Sequence, residues 1–250
     1  MAISEEIRAL SADNQWDKST GEGPATDAMA IDELLGFASH ELRAPLASIL
    51  ATTTLLEISP SETWPELVET ITSDAHRMSA IVDNLLTYAR LHSGHGLDTE
   101  PVLLGRKVET TVARIQKDHP ACEVTVTAEA GLTVEVDPED IELVLGNYLS
   151  NARKYGDGLP IKVETRRSDQ SAVVLVLDQG PGISNEDRER VFEPFYRIPA
   201  TAKRQPGIGI GLALCRRLIE GYGGRVWTDR RPGGGAIFGF SLPLAPLDRG

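Results

Sequence analysis

Between Val68 and Ala89, apolar residues recur at alternating steps of three and four: Val68, Ile71, Ala75, Met78, Val82, Leu85 and Ala89. That period runs one apolar seam along one side of a helix, the pattern of bundle packing. Upstream, Leu35, Ala38, Leu42, Leu46, Ile49, Thr53 and Leu56 keep the same rhythm, apart from a four-four step around Pro45. A proline inside a helix removes a hydrogen bond and bends it. The stretch between them, Ser59-Pro60-Ser61-Glu62-Thr63-Trp64-Pro65, is rich in helix breakers and start signals. The expected unit over residues 27–95 is a two-helix antiparallel hairpin. Two helices with one seam each cannot shield themselves, so a second copy completing a four-helix bundle is expected, which makes the chain a homodimer.

Ser93-Gly94-His95-Gly96 breaks the helical pattern, and beyond it the period changes. Val124–Thr127 and Leu132–Val136 alternate with period two and read as strands, as do Ile161–Arg166 and Ala172–Asp178. Residues 137–155 read as a helix, with Asp137 at the cap and Pro138 at the first position. A second helix is expected over Ile210–Tyr222, with closing strands at Gly224–Asp229 and Ala236–Leu242. The fold class is therefore α+β: the hairpin, then a domain over residues 96–246 in which a mostly antiparallel sheet packs on helices. Residues 1–26 hold a short amphipathic piece followed by Ser, Thr, Gly and Pro, a composition that buries little and reads as a flexible N-terminal tether.

The net charge of −12 over 250 residues argues against a nucleic-acid surface, which needs a basic footprint. Arg166–Arg167, Arg216–Arg217 and Arg230–Arg231 are isolated pairs rather than a patch. No stretch approaches the roughly 20 apolar residues of a membrane-spanning helix, so no membrane insertion by this chain is expected. The N-terminus carries early acids and no basic n-region followed by an apolar run, unlike a secretory signal. Cys122 and Cys215 are too few and too far apart for a metal cage or a disulfide framework. The expected compartment is the cytoplasm.

Five local motifs then stand in fixed order. FASHELRAPLASI (Phe37–Ile49) resembles the H-box of bacterial two-component sensor histidine kinases, and NYLSNARKY (Asn147–Tyr155) their N-box. DQGPG (Asp178–Gly182) resembles their G1 box, FEPFYR (Phe192–Arg197) their F-box and GIGIGLAL (Gly207–Leu214) their G2 box. A lone glycine-rich motif is weak, but five boxes in order are specific. The resemblance implies a dimerisation and phosphotransfer hairpin followed by an α/β-sandwich ATP-binding domain of the gyrase, chaperone and histidine-kinase type. It also implies ATP and Mg²⁺ as cofactors, a response regulator receiver domain as partner, and autophosphorylation of a histidine followed by transfer to an aspartate.

His40 is the expected phosphoacceptor. It is rotated by about 200° from Ala38 and 160° from Leu42, at roughly 100° per residue, which turns it away from the seam. An imidazole is a competent nucleophile near neutral pH because part of it is unprotonated there. By resemblance, Glu41 orients that imidazole and accepts its proton. Arg43 and Pro45 match the motif as well, with Pro45 as a hinge. Asn147 and Asn151 fall at i, i+4 on one helix face, and an amide oxygen suits Mg²⁺. The resemblance favours Asn151 as the metal ligand with Asn147 beside it. Lys154 follows three residues later, placed to meet phosphate, and Tyr155 flanks the nucleotide. Asp178 ends an apolar strand, where by resemblance it accepts a hydrogen bond from the adenine amine. Gly180 and Gly182 allow a tight turn against the base. Gly207, Gly209 and Gly211 precede a helix whose N-terminus receives triphosphate. Lys203 and Arg204 lie in an expected lid, with Arg197 a further phosphate contact and Phe192 and Phe195 as packing residues.

Two departures narrow the expectation. Gyrase-like relatives of this ATP-binding fold carry a water-activating glutamate where this chain has Asn147, an amide without useful basicity, so hydrolysis by water should be slow. Four residues beyond His40, where the family commonly has Thr or Asn to position water, this chain has Ala44, whose methyl holds no water. Weak phosphatase activity is expected. The signal is expected to come from an upstream sensor protein or from a sensor domain removed from this chain.

Overall fold

The computed structural model describes residues 24–92, 97–120, 122–156, 158–199 and 209–246, with backbone alone for 24–38, His40, Ala89 and His92. Helix α1 (Pro24–Ile58) and helix α2 (Trp64–His92) form the hairpin. A single 3₁₀ turn at Ser61–Thr63 joins them, closed by the Thr63 hydroxyl donating to the Pro60 carbonyl at 2.9 Å. The start of α1 at Pro24 takes three residues of the expected tether into the helix; residues 1–23 lie outside the described residues.

The seam differs from the expected one in register. On α1 the covered positions are Leu42, Pro45, Ile49, Thr52 and Leu56, so Pro45 and Thr52 replace Leu46 and Thr53. Thr52 is 6% exposed, whereas Leu46 is 46% exposed. On α2, Leu67, Ile71, Met78, Ile81, Leu85 and Tyr88 are covered, while Val68, Ala75 and Val82 face outward. The reason is geometric. A hairpin covers one face of each helix, and these helices carry apolar side chains across more than one face. Leu50, Ile58, Val68, Val82 and Leu86 stay exposed at 40–76%.

The second domain follows the expected order. After β1 (Glu100–Leu103) and α3 (Leu104–Asp118) come β2 (Val124–Ala128), β3 (Thr133–Val136) and α4 (Pro138–Tyr155). Strands β4 (Ile161–Ser168) and β5 (Ser171–Leu177), helix α5 (Gly211–Gly221) and strands β6 (Arg225–Arg230) and β7 (Ala236–Pro243) complete it. The β1 strand and α3 are not marked by the strand and helix signals above. β1 is four residues long and carries a proline, and it pairs only with β3.

The main sheet runs β2-β4-β5-β7-β6, with β2 parallel to β4 and every other pair antiparallel. Alternation along β5 separates two apolar layers. Ala172, Val174 and Val176 join the helices' core, while Val173 and Leu175 pack with Ile237 and Trp227 on the opposite face. On the helix side Tyr148 is fully buried beside Phe238 and Phe240, with ring centroids 5.4 and 6.2 Å away.

The hairpin is anchored on this core. Tyr88, 7% exposed, belongs to it, and Leu85 and Leu91 pack against it. Beside them Arg90 pairs with the buried Asp140 of α4 and with Asp137. The Tyr222 hydroxyl donates to Asp140 Oδ2 at 2.6 Å. Leu145 on α4 is 0% exposed in the same core. Replacing it with Ala leaves a cavity, so Leu145→Ala should cost about 2–5 kcal/mol in chemical denaturation of the second domain.

Candidate active site

A cavity of about 1030 Å³ opens between α2 of the hairpin and the second domain. Its floor is one face of α4, which begins firmly: the Asp137 carboxylate caps it by accepting from the Glu139 N–H at 2.8 Å, with Pro138 at the first position. Asn147, Asn151, Lys154 and Tyr155 all line the cavity, as do Asp178, Gly182, Arg197, Gly209 and Gly211. Nine expected site residues are thus brought together.

The two asparagines differ in availability. The Asn147 side-chain amide donates to the Leu143 carbonyl at 3.0 Å and reaches the Asn84 side-chain oxygen on α2 at 3.5 Å. Its oxygen lies so close to Gly211 that a Cβ there would stand 2.1 Å away. A side chain at Gly211 would therefore have to displace the Asn147 amide at the start of α5. Asn151 takes no hydrogen bond among the described residues, leaving its amide to a ligand. No group of three or more His, Cys, Asp or Glu able to hold a metal occurs among the described residues. An Mg²⁺ held by one amide, phosphates and waters fits that donor set.

Asp178 is 3% exposed. Its Oδ1 accepts from the Gly180 N–H and the Ala236 N–H, both at 2.9 Å, which offsets the burial of a carboxylate. Oδ2 takes no hydrogen bond among the described residues. Gly180 does not line the cavity. A Cβ there would meet the Tyr155 carbonyl at 2.5 Å, so it packs the G1 turn onto the end of α4. Gly209 adopts φ +76 and accepts from the Phe195 N–H at 3.0 Å, tying the F-box to the start of α5. Phe192 is buried at 2% with the Arg216 guanidinium over its ring, a packing residue as expected. Gly207, Lys203 and Arg204 lie outside the described residues.

Lys154 has an unusual setting. Although exposed to the cavity, its ammonium is held below the usual lysine range by partial desolvation and by the guanidinium groups of Arg77, Arg153 and Arg197, against the pull of Glu41. Glu41 itself sits on α1, where its Oε2 pairs with Arg77 Nη2 at 2.9 Å. His40 lies on α1, its side chain outside the described residues.

The sequence motifs left out the α2 wall. Ser73, Arg77, Ile81, Asn84, Thr87 and Arg90 all line the cavity.

Two family matches cover most of the chain. Residues 30–94 match the His Kinase A (phospho-acceptor) domain, and residues 136–246 the Histidine kinase-, DNA gyrase B-, and HSP90-like ATPase family. The chain belongs to the two-component sensor histidine kinases. It is 31% identical to the signal transduction histidine-protein kinase AfsQ2 of Streptomyces coelicolor over 83% of this chain and 41% of that protein. It is also 31% identical to the adaptive-response sensory kinase SasA of Nostoc sp., over 98% of this chain and 65% of that protein. The chain thus spans between two fifths and two thirds of these relatives' lengths. Among solved structures, histidine kinase ThkA in complex with response regulator protein TrrA matches with TM-score 0.66 and 26% identity, over 90% of this chain and 65% of that one. Full-length ShkA in complex with AMPPNP matches with TM-score 0.61 and 26% identity, over 86% of this chain and 46% of that one.

The contact between Gly211 and Asn147 gives a test of the site's packing. Gly211→Ala should shift the Asn147 amide and lower the melting temperature of the domain only slightly, and adding Asn147→Ala should remove that loss. The readout is thermal unfolding of the single and double variants.

Proposed function

We propose that this chain is a protein histidine kinase that phosphorylates its own His40 from ATP and passes the phosphoryl group to an aspartate of a response regulator. The observation that carries the reading is the single cavity lined by Asn151, Lys154, Asp178 and Gly209 on one side and by the histidine-bearing hairpin on the other. Asp178 Oδ2 would select the adenine amine, and Asn147, Asn151, Lys154, Tyr155, Arg197 and the residues around Gly180, Gly182, Gly207, Gly209 and Gly211 would hold the rest of the nucleotide. Asn151 would ligate Mg²⁺, which when bound neutralises phosphate charge. An imidazole nitrogen of His40 attacks the γ-phosphorus, the bond to the β–γ bridging oxygen breaks, ADP leaves, and the imidazole proton passes to Glu41. Asn147, unlike a glutamate, activates no water, so bound ATP waits for the histidine.

A homodimer is supported by the apolar side chains that each hairpin leaves exposed, among them Leu50, Ile58, Val68 and Leu86. ThkA's complex with a response regulator supports the receiver partner. No helix among the described residues is long and apolar enough to cross a membrane. The cytoplasm, where ATP and receiver domains meet, is the compartment this chemistry needs. Upstream signal input from a sensor domain or sensor protein is part of the same reading.

Incubation with γ-labelled ATP should place acid-labile, base-stable label on the wild type and none on His40→Gln. Label that persists in His40→Gln, or ATP turnover without label, contradicts the reading. Ala44 is exposed on α1, one residue before the buried Pro45. With phosphorylated regulator and ADP, dephosphorylation should be slow, and Ala44→Thr should speed it several-fold. Fast dephosphorylation that Ala44→Thr leaves unchanged contradicts the proposed weak phosphatase activity.

A further inference from the structure

The inference concerns Arg77 and rests on the nucleotide site proposed above. Arg77 belongs to the hairpin, yet its side chain lines the cavity together with Lys154 and Arg197. Among the described residues its partner is Glu41, held through Nη2 at 2.9 Å. A guanidinium offers five N–H donors, so this contact uses a small part of its capacity.

The surrounding charge is lopsided. The groups that act on Lys154 are Arg77, Arg153 and Arg197 on the positive side and Glu41 alone on the negative side. Of the acids that line the cavity, Asp83 and Glu139 take no side-chain partner among the described residues, and the remaining three are engaged elsewhere. Asp140 serves Arg90 and Tyr222, Glu142 serves Lys107 and Arg114, and Asp178 Oδ1 serves two backbone N–H groups. Arg77, Arg153, Lys154 and Arg197 all line the cavity and act on one another there, a local positive focus suited to a polyanion.

We propose that Arg77 is the hairpin's contact for the terminal phosphate of the nucleotide, and that this phosphate draws the guanidinium away from Glu41. The ammonium of Lys154 and the guanidinium of Arg77 then hold the γ-phosphate from opposite walls. Glu41, beside His40 in the chain, loses its ion-pair partner only when a γ-phosphate is present. ADP, which lacks that phosphate, leaves the Arg77–Glu41 pair intact. One side chain thereby couples the filling of the site to the freeing of the acid that the phosphoacceptor needs.

Binding of AMPPNP and of ADP to the full chain in Mg²⁺, followed by titration calorimetry, separates the outcomes. Arg77→Gln should weaken AMPPNP about tenfold and change ADP less than twofold, because a charge-assisted contact is lost from the γ-phosphate alone. Arg77→Lys should recover part of the AMPPNP affinity, since the charge remains without the fork. Glu41→Gln, which removes the competitor, should tighten AMPPNP and leave ADP unchanged. Arg77 is 29% exposed at its side chain, and thermal unfolding of each variant reports its folding; Glu41→Gln tests the same competition should Arg77→Gln not fold. Equal effects of Arg77→Gln on the two nucleotides, or none on either, overturn the proposal while leaving the nucleotide site standing. Failure of the wild type to bind AMPPNP overturns both.

Discussion

The Asp140 carboxylate, 3% exposed, sits where three elements meet: the end of the second hairpin helix, the start of α4 and the end of α5. Burial raises its pKa, and the Tyr222 hydroxyl and the Arg90 guanidinium pull against that rise. A buried carboxylate is tolerated because both partners answer it. Tyr88 inserts into the domain core next to this pair, so apolar packing and an ion pair fix the same joint. The position of every α2 residue over the ATP-binding domain follows from that joint.

The site inherits this geometry. With α2 held against α4, Asn84 reaches Asn147, Asn147 fills the space beside Gly211, and Gly211 sets where α5 begins. The same helix carries Arg77 two turns earlier, opposite Lys154 and in contact with Glu41. The H-box acid is thus in contact with the same hairpin helix that reaches Asn147 on α4. The hairpin serves as a wall of the cavity as well as a carrier of His40.

Much of this was legible in the residues. The helices and strands from Val124 onward followed from period, caps and glycine turns, because local rules dominate there. The seam register did not, since Pro45 against Leu46 and Thr52 against Thr53 are separated by one helical step that only the partner helix decides. The α3 helix and the short β1 strand were missed because their signals are local to a segment without motif residues. The motifs named the N-box, G1 and G2 residues that converge, yet treated Gly180 as a nucleotide contact where its close neighbour is the Tyr155 carbonyl. Arg77 and Asn84 were invisible as site residues because nothing in one sequence says which face of α2 meets the second domain.

Amide hydrogen exchange with and without AMPPNP tests most directly whether the hairpin forms a wall of the nucleotide site. Slower exchange in the α2 segment around Arg77–Asn84, together with α4 around Asn147–Tyr155 and the turn at Asp178–Gly182, is the predicted result. Protection confined to the ATP-binding domain, with α2 unchanged, would contradict it.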